Sequence, residues 1–233
     1  MAHHSEIVHH QLQIMDTESH YLEPITGFSR TNNGMIVAPV EIVDLDKRIT
    51  SNQLPYEVVD IAHVALDPYN PRKKGRLSIS ISPGKKDGRW NRNIQKDLEV
   101  IKNNGIQIIV CLLEWSEMRM LSITDYPRKA QEAGFLFYHL PIKDRGVPSR
   151  REIEVLVPIL VQHLAMGQNI LVHCRVGLGR AGTICACCLG HFGYEGKGAI
   201  ETVRKQRPGA VQTSQQKECV INYCQSVLTG SQF

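Results

Sequence analysis

The chain has 233 residues, 42% apolar and 21% charged, and 27 Lys+Arg against 23 Asp+Glu leave a net charge of +4. Such a length can bury a proper core, as one large α/β domain or as a domain of about 150 residues with an appendage, and so slight a basic excess argues against a nucleic-acid partner. Seven cysteines, an odd number, suggest neither a disulfide framework nor a zinc ribbon, and no stretch reaches the roughly 18 apolar residues of a spanning helix.

The opening MAHHSEIVHH lacks the apolar segment of a secretory signal, which points to a reducing, cytoplasmic setting with the nucleus left open. Its four histidines, His3, His4, His9 and His10, suit an expression remnant or an ordinary polar end better than a metal-binding tail. Residues 1–55 show no sustained period beyond a strand-like alternation in IVAPVEIVDLD, and are read as an N-terminal extension. From residue 56 the pattern becomes regular, so 56–233 is taken as one domain.

Within it, Asn93 to Asn104 sets Ile94, Leu98 and Ile101 on one helical face, with Gly105 placed to end the helix. IQIIVCLL follows as a buried strand, DYPRKAQEAG as a second helix stopped by glycine, and FLFYHL as a second strand. After the loop PIKDRGVPS comes REIEVLVPILVQHLAMG, a helix with Ile153, Leu156, Ile159, Leu160 and Leu164 on one side and Pro158 as an expected kink. NILVH is the third strand, and helices through TICACCLGHF and KGAIETVRKQ close the pattern. Short β-branched runs alternating with amphipathic stretches predict an α/β fold, a mainly parallel central sheet flanked by helices.

Between the third strand and the next helix lies LVHCRVGLGRAG, residues 171–182, at the strand end where such folds place ligands. Gly177 and Gly179 permit a tight turn whose N–H groups converge as an anion nest at a helix N-terminus. Arg180 opens that helix and can offer a forked guanidinium to a tetrahedral oxyanion. Cys174 at the base of the nest then sits in a positive field that favours its thiolate, a nucleophile facing bound phosphorus. Taken alone, a cysteine followed six residues later by arginine is more often a small buried hydrophobe.

The whole string HCxxGxGRxGT after an apolar strand resembles the signature of the cysteine-dependent protein tyrosine and dual-specificity phosphatases. Over roughly residues 75–226 the segments RWNRNIQKDLEVIKNNGIQ and HLPIKDRGVPS are similar to those of the cyclin-dependent kinase-associated branch. HCRVGLGRA is also similar to the loop of the phosphatases of regenerating liver, which carry alanine after the arginine. The resemblance implies hydrolysis of a phosphomonoester through a cysteinyl-phosphate, with Cys174 as nucleophile and no cofactor or metal. It implies that Arg175, Val176, Gly177, Leu178, Gly179 and Arg180 cradle the phosphate, that Asp144 is the general acid, and that His173, Gln212 and Gln216 play supporting parts. In related enzymes a second cysteine shelters the oxidised nucleophile; Cys111 lies on the neighbouring strand but two residues from the matching position. Ala181 stands where the family usually has Ser or Thr.

The implied partner is a phosphorylated protein, with a kinase among the options. PRKKGRLSISISPGKKDGRWNR, residues 71–92, holds eight basic residues and one acid, which is ordinarily a solvated face but could attract an acidic phosphorylated segment. Arg175 in the loop keeps a phosphoinositide open as substrate, although Leu178 occupies the position where lipid phosphatases carry a second basic residue. A slow phosphoprotein-binding protein is the other alternative, raised by Ala181.

Overall fold

The computed structural model describes residues 56–65, 74–88 and 90–230. The histidine-rich start, the alternation in residues 36–46 and part of the basic run lie outside them. In chain order the elements are β1 (Val59–Ala65), β2 (Lys74–Ser80), β3 (Lys86–Asp87), β4 (Trp90–Asn91), α1 (Ile94–Asn103), β5 (Ile108–Cys111), α2 (Trp115–Met120), α3 (Tyr126–Glu132), β6 (Leu136–His139), α4 (Arg150–Ala165), β7 (Ile170–His173), α5 (Gly179–Gly190), α6 (Gly196–Gln206) and α7 (Ser214–Thr229).

Five strands form one sheet in the order β1-β2-β7-β5-β6, and β3 and β4 make a separate small hairpin. β2, β7, β5 and β6 run parallel, and only β1 is antiparallel to its neighbour. β7 therefore lies between β2 and β5, with Leu77 and Ile108 both paired to Ile170. Strand alternation divides the core in two: Ile108, Val110 and Leu112 pack with α4, α5, α6 and α7, whereas Ile109, Cys111 and Leu113 pack with α1, α2 and α3. This is the α/β fold expected from the sequence, a mainly parallel central sheet flanked by helices.

Local chemistry explains the helix ends near the site. Asn93 caps α1 by accepting from Lys96 N, and Gly105 leaves it at φ +71°. Ser149 and Glu152 form a capping box at the start of α4, and Thr213 and Gln216 do the same for α7. α5 is buried on every side, as its apolar composition on all faces requires.

One expectation needs correction. The basic run is not one solvated face: Lys74–Ser80 within it is β2, with Leu77 and Ile79 fully buried. Its charges obscured an alternation of Leu77, Ile79 and Ile81 that was there to be read. α4 runs on through Pro158, its buried face takes Val157 as well, and the partly covered Ile159 packs against the same core. The six-residue α2 is too short to stand out by period, whereas α7 does carry Val220, Tyr223, Cys224, Val227 and Leu228 at helical spacing.

Burial keeps four histidines neutral. His173 is pushed down to about 3 by desolvation, and desolvation also lowers His139, His163 and His191. His163 and His191 use their Nε2 atoms to meet the hydroxyls of Tyr138 and Tyr223, at 2.7 and 2.8 Å. Each folded value lies below the unfolded value of about 6.5, so in the interval the unfolded chain binds a proton that the folded chain refuses. Stability should therefore fall as pH drops below about 6.5, by up to about 1.4 kcal/mol per pH unit for each histidine. Calorimetry between pH 6.5 and 5, above the ordinary carboxylate range, should show the melting temperature dropping by roughly 5 °C or more per unit.

Candidate active site

The 174–180 loop leaves β7 and turns directly into α5. Two glycines make that path possible. Gly177 has φ +68°, and a Cβ there would lie 2.2 Å from Ser80 O at the end of β2. A Cβ on Gly179 would lie 2.8 Å from Gln212 Oε1 and 2.9 Å from Gln216 Oε1. No side chain caps α5 at Leu178, so the N–H groups of its first turn remain for an anion. Cys174 sits beneath them, 3% exposed.

Arg180 is 2% exposed and held from several directions. Its Nη1 and Nη2 donate to Glu117 Oε2 and Oε1 at 2.6 and 2.8 Å, and Nη1 also donates to Ile142 O at 2.8 Å. Burial alone would lower its pKa; the Glu117 carboxylate, with Cys174 and Asp144 nearby, outweighs that and raises it, so the guanidinium stays charged. Glu117 occupies the end of the fork, leaving the side edge, Nε and Nη2, to meet a second anion. Asp144 already reaches Nη2 at 3.0 Å from an exposed position. Glu117 escaped the sequence reading because α2 has only six residues; the capping box it forms with Glu114 is the signal that could have found it.

The acid loop is fastened to α7. Gln216 is fully buried, accepts from Gln212 N and Thr213 N with Oε1, and donates from Nε2 to Gly146 O at 2.9 Å. Thr213 Oγ1 donates to Arg145 O at 3.4 Å. The polar atoms of Gln216 are thus committed to the backbone, while Gln212 lies against Gly179 with an exposed side chain.

Beneath the nest, His173 is fully buried. Tyr126 donates its hydroxyl proton to the neutral ring at Nε2, 2.9 Å away, and Nδ1 donates to Cys174 O at 3.4 Å. Desolvation raises the tyrosine's pKa, which keeps that proton in place. The neutral His173 ring thus links Tyr126 to the backbone carbonyl of Cys174.

The outer rim was only partly foreseen. The Arg175 side chain turns to Asp87 in the β3–β4 hairpin, with Nη2 and Nε at 2.9 and 3.2 Å. Asp97 anchors that hairpin by accepting from Gly84 N and from Arg92 Nε and Nη2. Arg207, which no motif flagged, donates to Gly177 O and Val176 O. Val176 is exposed at the mouth, Leu178 is half-buried, and Leu178 O accepts from Val211 N.

Cys111 pairs in register with His173 and belongs to the core layer under α1–α3, whereas Cys174 packs with the opposite layer. Burial pushes the Cys111 thiol up to about 12. Among the described residues, no group of three or more His, Cys, Asp or Glu side chains could hold a metal ion, and no helix is long and apolar enough to cross a membrane.

A cysteine under a glycine-shaped anion nest, with a buried arginine and a carboxylate on a facing loop, defines the class of enzymes that cleave phosphomonoesters through sulfur. Comparison with known proteins agrees. Residues 84–193 match a family described as "Tc-R-P: Polymorphic toxin system, DSP-PTPase phosphatase". Cyclin-dependent kinase inhibitor 3 of Rattus norvegicus is 32% identical over 143 residues, covering 60% of this chain and 68% of the relative. Protein tyrosine phosphatase domain-containing protein 1 of Mus musculus is 38% identical over 103 residues, 44% of this chain and 14% of the relative. Among solved structures, kinase associated phosphatase with its catalytic-site cysteine replaced by serine superposes with a TM-score of 0.66 at 26% identity, over 76% of this chain and 98% of that one. This chain belongs to the cysteine-dependent dual-specificity protein phosphatases, and it is a protein phosphatase.

Glu117→Gln keeps the shape of the Arg180 partner and removes its charge. A hydrogen bond to a charged group contributes about 1.5–3 kcal/mol, so kcat/KM on aryl phosphates should fall about 10- to 100-fold. The inhibition constant for inorganic phosphate should rise in parallel. Unchanged kinetics would mean that Arg180 needs no holder.

Proposed function

We propose that Cys174 attacks the phosphorus of a phosphorylated tyrosine, serine or threonine side chain, forming a cysteinyl-phosphate that water then hydrolyses. The N–H groups of residues 175–180 and the free edge of Arg180 take the phosphoryl oxygens. A bound phosphoryl group claims Nη2 from Asp144, freeing that carboxylate to take a proton from solvent and pass it to the leaving oxygen. Gln212, beside Gly179, orients the water of the second step, while Gln216 keeps the acid loop seated. The observation that carries this reading is the 3.0 Å contact between Arg180 and Asp144, which joins the nest to the loop from a separate part of the chain.

We further propose a phosphoprotein as substrate, with a kinase favoured by the names of the relatives. The tie between Arg175 and Asp87 argues for protein over phosphoinositide, because the cation that a lipid headgroup would recruit is held by the hairpin, on a carboxylate it shares with Lys85. A cytoplasmic setting suits the seven free thiols. We assign the phosphatase domain to residues 56–233.

The test is hydrolysis of p-nitrophenyl phosphate, unaffected by chelators and lost in Cys174→Ser. Asp144→Ala should slow poor leaving groups by about 100- to 10,000-fold and activated ones far less. An equal loss across leaving groups would make Asp144 structural. Tight phosphopeptide binding without phosphate release would favour a binding protein.

Ala181 is fully buried, and Thr183, the nearest hydroxyl on α5, donates within the helix to Gly179 O at 2.9 Å. Neither residue offers the thiolate a hydrogen bond as it leaves phosphorus. Breakdown of the cysteinyl-phosphate should therefore limit turnover and give a burst of leaving group. Ala181→Ser should raise the steady-state rate roughly 3- to 13-fold, half the value of a charged hydrogen bond. Rapid-quench kinetics without a wild-type burst would refute the brake.

A further inference from the structure

The carbonyls of the anion nest are held from behind. Arg175 O accepts from Ser82 N at 3.4 Å, Val176 O and Gly177 O accept from Arg207 Nη2 and Nε at 3.3 and 3.2 Å, and Leu178 O accepts from Val211 N at 3.3 Å. In a trans peptide the C=O and the following N–H point opposite ways. Drawing these oxygens back therefore turns the N–H groups of Val176, Gly177, Leu178 and Gly179 towards the anion. Two of the four peptides depend on one side chain, that of Arg207 at the end of α6. Its Nε–Nη2 edge serves the loop, while Nη1 meets the exposed Glu57 at 3.4 Å.

The turn beside Arg207 is itself braced. Val211 is fully buried with φ +53°, a conformation that costs a β-branched residue energy and persists where the surroundings enforce it. Arg204 does so, donating from Nε to Ala210 O at 2.9 Å and from Nη2 to Val211 O at 2.8 Å. A Cβ on Gly182 would lie 3.0 Å from Val211 N, so α5 sits against this turn without slack. The strained residue aims its N–H at Leu178 O.

We propose that Arg207 is a positioning residue for phosphoryl transfer, fixing the Val176–Gly177 and Gly177–Leu178 peptides so that the nest is formed before the oxyanion arrives. This rests on the phosphatase reading above and adds what sets the affinity of its nest. N–H groups that need not turn on binding stabilise developing charge more than groups that must reorganise. Lysine at this position would bring the charge without the fork, and glutamine would bring neither.

The test compares the full chain with Arg207→Gln and Arg207→Lys, using tungstate as the tetrahedral oxyanion. Titration calorimetry should show the dissociation constant rising about 10-fold in Arg207→Gln and about 3-fold in Arg207→Lys, with melting temperatures within about 2 °C of the parent. In proton–nitrogen correlation spectra, tungstate should move the Gly177 and Leu178 amides far less in Arg207→Gln than in the parent, whereas the Gly179 amide, governed by Val211, keeps its response. On p-nitrophenyl phosphate kcat/KM should fall in step with affinity. Parent-like affinity in Arg207→Gln, or in Arg207→Lys, would overturn the proposal. So would a loss of affinity in which all three amides lose their response or the melting temperature drops by more than about 5 °C, since Arg207 would then be a general structural residue. A parent chain that binds no tungstate would overturn the phosphatase reading, and this proposal with it.

Discussion

The buried ion pair between Arg180 and Glu117 is the contact on which the site depends. An arginine this deep is tolerable only if its charge is met, since an unpartnered buried charge costs several kcal/mol. Glu117 meets it end-on, and Ile142 O takes a further N–H. One side chain thereby ties the first turn of α5 to α2 and to the approach of the acid loop. The pair also fixes which edge of the guanidinium is left over. That edge sets where a phosphoryl group can sit, and so where the attacking sulfur and the proton donor must stand.

Around this pair the loop is shaped by backbone contacts more than by side-chain packing. Gly177 passes so close to Ser80 O that a methyl group cannot fit, and Gly179 is flanked by two glutamine side chains. Arg207 draws on the loop's carbonyls, and Gln216 spends its amide on the neighbouring turn and on Gly146. The chain thus uses long polar side chains as struts between segments, each satisfied by main-chain groups. Such struts hold position at little cost, because both partners are paired in the folded state.

The features legible in the sequence were those written in a short window. The turn at 171–182, the glycine stops at 105 and 134, and the strands at 108–111, 136–139 and 170–173 each declare themselves within a dozen residues. β2 is hidden in the sequence because its buried Leu77 and Ile79 follow Lys73, Lys74 and Arg76, making a strand look like a charged run. Glu117, Asp87 and Arg207 could not be found by spacing, since each meets the loop from a distant stretch of chain. Gln216 was named for the right neighbourhood, yet its side chain serves the backbone, because a capping position and a site position coincide there. Charge and period report what a residue is, and only the register of the sheet reports what it meets.

That register has one more consequence. β7 takes its hydrogen bonds from β2 on one side and β5 on the other, pairing Ile170 with Leu77 and Ile108. Parallel neighbours cannot be made by local hairpins, so the strand that presents Cys174 is seated only after long loops have closed. The nest consequently has no existence in a half-folded chain. A nascent or partly unfolded molecule would carry the whole motif without the anion nest that the fold builds around Cys174.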